Sequence, residues 1–236
     1  MFQHCDAALD EVVRLDANAF TTFTGVESSN IVLSNLNIRS INSNFPHMKL
    51  ELRNLSSNVI ALQETWLTDD NAANIQKFSI PDMDLYLNSQ SRGKGIATYI
   101  SSEFNKVKNI KNDVYQISIF ASLNRIIFNV YRSSNCCINL ICNVIENELK
   151  FVDSNLEIFV IGDFNFCFKT ASNNSFSKKM ANLGFIQLVQ KSTHEDGHIL
   201  DHIYVKNQIQ SYKVVHHSIP TLDHDILHVI KSNNEI

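Results

Sequence analysis

The sequence predicts an α+β or α/β sandwich in one main domain, rather than a doubly wound parallel sheet. Three observations lead there. Strand-helix-strand units are mixed with strands that follow one another directly. The 236 residues are 44% hydrophobic and only 19% charged, which supplies a sizeable core. No internal repeat or low-complexity tract breaks the pattern.

Residues 6–20 have helical spacing, with Leu9, Val12, Val13 and Leu15 as an apolar stripe. Residues 21–30 are polar, so 1–30 reads as a helical appendage and linker before a domain at 31–236. Strands are expected at 31–37 and 59–63, around a helix at 41–55. Further strands are expected at 83–88, 96–101, 115–121 and 126–131. Residues 133–151 read as mostly helical, and 158–162 as a buried strand ending in a sharp turn. A helix at 175–183 is closed by Gly184. The last strands are expected at 185–189, 199–205, 211–216 and 226–230.

Composition narrows the function. The formal net charge is −4, so DNA binding would need local basic surface or a metal to supply positive charge. Lys106, Lys108 and Lys111 form a basic run that reads first as a solvated face. No apolar run approaches the roughly 20 residues of a membrane span. Residues 1–10 lack the basic region of a secretory leader. Cys5, Cys136, Cys137, Cys142 and Cys167 are odd in number and include no C-x-x-C pair. They read as thiols of a reducing compartment rather than as a zinc site or disulfide frame.

Polar residues recur at the ends of apolar strands, where side chains can converge on one pocket. They are Asn37, Glu64, Tyr131, Asp163 and Asn165, with Asp201 inside a strand and Asp223 and His224 just before one. Taken singly, each reads as a turn, a cap or a satisfied polar group. The set is more informative. Gly162-Asp163-Phe164-Asn165 places a base and a hydrogen-bond donor at alternate positions after a tight turn. Leu200-Asp201-His202 and Leu222-Asp223-His224 each place a carboxylate where it could fix a histidine tautomer. Glu64, in Leu62-Gln63-Glu64-Thr65-Trp66, is a hard oxygen ligand suited to Mg²⁺.

With these motifs the chain resembles the endonuclease/exonuclease/phosphatase superfamily. Further pieces of the resemblance are Leu36-Asn37-Ile38-Arg39-Ser40, Tyr131-Arg132 and Ser192-Thr193-His194, all in the family's order. The nearest flavour resembles the apurinic-type endonuclease domain of LINE-type retrotransposons or Helitron-borne relatives. The resemblance implies a DNase I-like, four-layer α/β/β/α sandwich with two mixed sheets face to face. It implies a metal-dependent endonuclease that leaves a 3′-hydroxyl and a 5′-phosphate. By the same resemblance Glu64, Asn37 and Asp223 lie at Mg²⁺ or Mn²⁺. Asp163 activates water, Tyr131, Asn165 and His224 contact the phosphate, and Asp201 orients His224. Arg39, Arg132 and Thr193 are assigned to substrate binding. The implied partner is DNA, beside a reverse transcriptase or helicase encoded elsewhere or in a longer product. The expected state is a monomeric, intracellular domain with no membrane, nuclear if host DNA is the target. The alternatives are a decayed or co-opted binding module and a phosphatase or phospholipase of the same superfamily. Leu222 stands where a supporting Ser is usual before Asp-His, which favours the decayed alternative. Ser133-Ser134 stands where two prolines are common, and Lys94 where Gly is.

Overall fold

The computed structural model describes residues 30–52, 56–68, 71–170 and 174–232. The helix expected at 6–20 lies outside them, as does the linker but for Asn30. Twelve strands form two six-stranded mixed sheets among the described residues. The first contains β1 (Leu33–Asn37), β2 (Val59–Gln63), β3 (Asp84–Asn88), β4 (Ile96–Ile100), β11 (Tyr212–His217) and β12 (Ile226–Lys231), in the order β11-β12-β1-β2-β4-β3. The second contains β5 (Asn105–Asn112), β6 (Tyr115–Ala121), β7 (Arg125–Arg132), β8 (Glu157–Asp163), β9 (Ile186–Gln187) and β10 (Asp201–Lys206), in the order β5-β6-β7-β8-β10-β9.

Each sheet has one parallel pair at its centre, and each pair is joined through a helix. Helix α1 (Ile41–Leu52) connects β1 to β2, and α2 (Ile138–Leu149) connects β7 to β8. A third helix, α3 (Asn174–Asn182), packs with α2 over the second sheet. Ile41, Phe45, Met48 and Leu52 are buried at helical spacing and seat α1 on the first sheet. The layers are therefore helix, sheet, sheet and helix, the expected four-layer sandwich.

Strand alternation sorts the cores. Leu33, Val59, Phe159, Ile161, Ile203 and Val205 meet between the sheets. Their neighbours in sequence, such as Ile158, Val160 and Tyr204, face α2 and α3 instead. Moving along the sandwich, the inner layer becomes polar. Gln63 Nε2 donates to Asn35 Oδ1 (2.9 Å) and to Asn129 Oδ1 (2.8 Å), and Asn129 Nδ2 reaches Thr98 Oγ1 (2.9 Å). One step further lie Asn37, Tyr131, Asp163 and Asp201.

At the other end of the second sheet, buried Arg125 and Glu157 face each other in the β7–β8 register and bond at 2.9 Å. Tyr212 donates its hydroxyl to the same carboxylate (2.8 Å).

Several expectations shift. The strand expected at 185–189 shrinks to two paired residues, Ile186–Gln187. The helix expected from 133 begins at Ile138, because Cys136 N closes a turn on Ser133 O. The lysine run belongs to β5, an edge strand with a bulge between Lys106 and Lys108. Lys108 is not simply solvated, since its ammonium bonds buried Glu148 of α2 at 2.8 Å. Residues 71–78 form short 3₁₀ turns kinked at Asn74. Among the described residues, Cys136, Cys137, Cys142 and Cys167 form no disulfide. Among the described residues no helix is long and apolar enough to cross a membrane.

Two predictions come from this packing. Gly162 has φ +146°, and a Cβ there would lie 1.8 Å from the Val130 carbonyl oxygen. Gly162→Ala forces β7 and β8 apart just before Asp163, with an expected cost of ~4 kcal/mol or more, readable by denaturant melts. His228 is buried beside Ser34, and burial, with His217 nearby, pushes its pKa down to about 4. The ring is neutral in the fold but takes up a proton on unfolding below pH 6.5. Its stabilising contribution is full above pH 6.5 and is lost as pH falls from there towards 4. Between pH 7 and 4.5 the parent should lose about 2 kcal/mol more than His228→Gln, measured as the change in their stability difference.

Candidate active site

In register, Tyr131 of β7 stands beside Asp163 of β8, and Asp163 beside Asp201 of β10. Residues aligned on neighbouring strands share a face, so all three side chains end the inner face of the second sheet. Asn37 ends the inner face of the first. At this edge a bond joins the two sheets: Asn37 Nδ2 donates to Asp163 Oδ2 at 2.8 Å.

Asp163 is completely buried. Asn165 adds two bonds to it, from its amide to Oδ1 (2.8 Å) and from Nδ2 to Oδ2 (3.0 Å). Asn165 reaches back this way because it has φ +50°. Burial, and then the Asp201 charge, raise the Asp163 pKa up to about 7 against the pull of His224, Asn165 and Asn37. His224 Nδ1 bonds Asp201 Oδ2 at 2.7 Å. Burial would lower this imidazole, but the Asp201 charge and hydrogen bond, aided by Asp163 and Asp223, lift it to about 9. His224 is therefore a cation near neutral pH, and Asp163 sits where it can accept a proton.

Asp201 pairs with His224 and not with its sequence neighbour. His202 points to the opposite face, stacked on Phe164 (4.9 Å), with Nε2 on the carbonyls of Phe166 (3.1 Å) and Ile199 (3.2 Å). Burial holds His202 down to about 4 despite those carbonyls, so it is a neutral brace for the 163–168 turn.

Glu64 follows β2 with φ +51°, and Trp66 follows with φ +57°. The amides of Thr65 and Trp66 bond the carbonyls of Gly95 (3.0 Å) and Lys94 (2.9 Å), which fixes this turn. Glu64 lies beside Tyr131, whose hydroxyl donates to Gly93 O at 3.1 Å. Burial first, then the charges of Glu64 and Asp163, raise the Tyr131 pKa and keep the phenol a donor. Arg39 has φ +41°, is half exposed, and pairs with Asp223 Oδ2. Non-glycine residues with positive φ thus gather at this edge, where neighbouring contacts hold them.

Two residues expected to bind substrate have their polar groups engaged within the protein. The Arg132 guanidinium is buried and donates to the carbonyls of Phe164 (2.7 Å), Asn165 (3.3 Å), Ser134 (3.3 Å) and Cys136. Thr193 is fully buried, and its Oγ1 accepts from the amides of Leu200 (3.0 Å) and Asp201 (3.1 Å). These contacts brace the turns that carry Asn165 and Asp201. Leu222 packs into the apolar cluster under α1. The Asp223–His224 segment is held instead by Glu195 N on Asp223 O (2.9 Å) and Asp225 N on Thr193 O (2.9 Å). His194, which the sequence marks only as the end of the Ser192-Thr193-His194 piece and to which it assigns no role, packs edge-on against the His224 ring at 4.8 Å. Only the backbone bridge between His194 and His224 brings it there, and no spacing in the sequence signals it.

The donor set suits a hard divalent cation. Glu64 and Asn37 offer oxygens at adjacent strand ends, and Asp223 Oδ1 is buried without a hydrogen-bond partner. A cleft of about 380 Å³ opens beside them, between Arg39, Trp66 and Asp223. A larger cavity of about 580 Å³ lies at the opposite end of the first sheet, by Leu52, Ile60 and Met83, away from these groups.

Solved structures share this fold. An AP endonuclease from Archaeoglobus fulgidus superposes with TM-score 0.70 at 14% identity, covering 86% of this chain and 100% of that one. The endonuclease domain of TRAS1, a telomere-specific non-LTR retrotransposon, gives 0.65 at 10% identity over 86% and 98%. The 3′-5′ exonuclease NExo from Neisseria meningitidis gives 0.65 at 16% over 86% and 100%. No curated protein matches by sequence. The profile of the Endonuclease/Exonuclease/phosphatase family matches residues 34–224, from β1 to the Asp223–His224 turn, and the chain belongs to that family.

Proposed function

We propose that this chain is a divalent-metal-dependent phosphodiester hydrolase that nicks DNA, leaving a 3′-hydroxyl and a 5′-phosphate, and that it descends from a mobile element. The observation that carries the reading is the buried Asp163, bonded by Asn37 and Asn165 beside the Asp201–His224 pair. It supplies a proton acceptor and a cation at one edge, as in-line attack by water on a phosphodiester requires.

Asp163 takes the proton of the attacking water. Asn165 and Tyr131 exchange their bonds to Arg132 O and Gly93 O for the non-bridging oxygens, and His224, held by Asp201, offsets the charge that develops on them. Arg132 and Thr193 are positioning residues, and Arg39 meets the DNA backbone from the rim. Glu64, Asn37 and Asp223 would hold Mg²⁺ or Mn²⁺, which when bound neutralises phosphoryl charge. A metal there also answers the net charge of −4, which alone would repel DNA.

A DNA substrate is supported by likeness, since one structural neighbour is a Neisseria 3′ phosphatase bound to a product DNA hairpin. TRAS1 supports the mobile-element descent, and with it work beside a reverse transcriptase or helicase, in the nucleus when host DNA is cut. The family match at 34–224 supports 31–236 as the catalytic domain and 1–30 as an appendage.

The test is nicking of supercoiled plasmid by purified protein. Mg²⁺-dependent nicking that EDTA abolishes is expected. His224→Ala and Asp163→Asn should each lower the rate about 10²-fold or more, assayed at a temperature where circular dichroism shows the variant folded. Nicking by both variants at the parent rate would falsify the site assignment.

A further inference from the structure

A second set of ligands lies beside the oxygen-rich one. The 193–198 loop runs along the Asp223–His224 segment through a backbone bridge between His194 and His224. One ligand atom from each of His194, Asp223 and His224 lies within 4.8 Å of the others, and these residues are half-buried or buried. His194 Nε2 is 3.4 Å from Asp223 Oδ2. That matches the ~3.4 Å between neighbouring ligands of a tetrahedral ion with bonds of about 2.0–2.1 Å.

The surroundings of the two imidazoles fit a metal as well. His224 Nδ1 bonds the Asp201 carboxylate at 2.7 Å, and His194 Nδ1 faces the Asp196 carboxylate at 3.5 Å. A carboxylate on one ring nitrogen fixes the tautomer that presents the other nitrogen to a metal. In the metal-free chain His194 Nδ1 accepts from the Asp196 amide (3.2 Å), so ligation through Nε2 moves the ring proton to Nδ1 and exchanges that bond for one to the Asp196 carboxylate. Asp223 Oδ1 is buried and without a partner.

We propose that His194, Asp223 and His224 bind a borderline transition-metal ion, zinc above all, at a site that shares Asp223 with the oxygen-rich set but not Glu64 or Asn37. Two imidazoles with one carboxylate suit Zn²⁺, whereas Mg²⁺ prefers oxygen and keeps its waters. The ion takes Nε2 of His224, the nitrogen that Asp201 does not engage, and displaces the proton that the cationic ring carries there. Zinc therefore acts as an inhibitor of any reaction that uses His224. Arg39 already bonds Asp223 Oδ2, so guanidinium and metal compete for one carboxylate.

Binding is read without activity by titrating the EDTA-stripped, dialysed protein with Co²⁺ at pH 8 and following its visible absorption. One equivalent should give bands of a four- or five-coordinate nitrogen-oxygen site, with no thiolate charge-transfer band, and Zn²⁺ should bleach them. His194→Ala, with its melting temperature checked, should bind at least tenfold more weakly, and Arg39→Gln should bind several-fold more tightly. A parent with no bands, bands carrying thiolate character, or equal affinity in a folded His194→Ala protein would each overturn the site. The inhibitory role rests on the hydrolase reading. It is tested by adding Zn²⁺ to Mg²⁺-supported nicking, where the parent should be inhibited at concentrations at least tenfold lower than His194→Ala. A chain that binds Co²⁺ as described but never cuts DNA would refute the hydrolase reading and leave the metal site standing.

Discussion

A carboxylate removed from water must find its hydrogen bonds in the protein, and Asp163 finds one of them on the opposite sheet. The bond from Asn37 holds the ends of β1 and β8 together. Leaving a buried charged group unsatisfied costs several kcal/mol, of order 2–5, so this contact constrains both sheets and not only two side chains. Gly162 and Asn165 adopt backbone angles that let the chain turn around that carboxylate. The raised pKa of Asp163 is the chemical face of the same constraint, since burial that orders the group also makes it a better base.

The sandwich interior can be read as a gradient. At one end, Leu33, Val59 and Val205 fill the space between sheets by apolar packing. In the middle, Asn35, Gln63 and Asn129 trade amide bonds. At the site end Asp163, Asp201 and His224 collect. The same alternation that buries Phe159 and Ile161 puts Asp163 next in line on the inner face. The site thus continues the core, and its rigidity is that of the packed strands behind it.

Much of this was legible in the sequence because it follows strand periodicity. The central strands were marked by apolar runs, and polar residues at their ends stood out against them. The Asp201–His224 pair was legible through resemblance. What was hidden depends on tertiary contact. Strand β5 carries only Val107 and Ile110 among polar residues, so an edge strand looked like a charged loop. Arg132 was assigned to substrate binding, and sequence does not show that its two terminal nitrogens bond four carbonyls. His194 became visible only when two distant segments paired.

The Arg125–Glu157 pair lies six residues from Tyr131 and Asp163 along β7 and β8. Both pairs belong to one parallel register, and a slip of one residue would turn every inward side chain outward. Replacing a buried ion pair with apolar residues is often neutral for stability, so its value here need not be energetic. An alignment error that moves Asp163 off the inner face also breaks a charge pair with no water to rescue it. The Arg125–Glu157 pair therefore penalises the same β7–β8 misalignment that would displace Asp163.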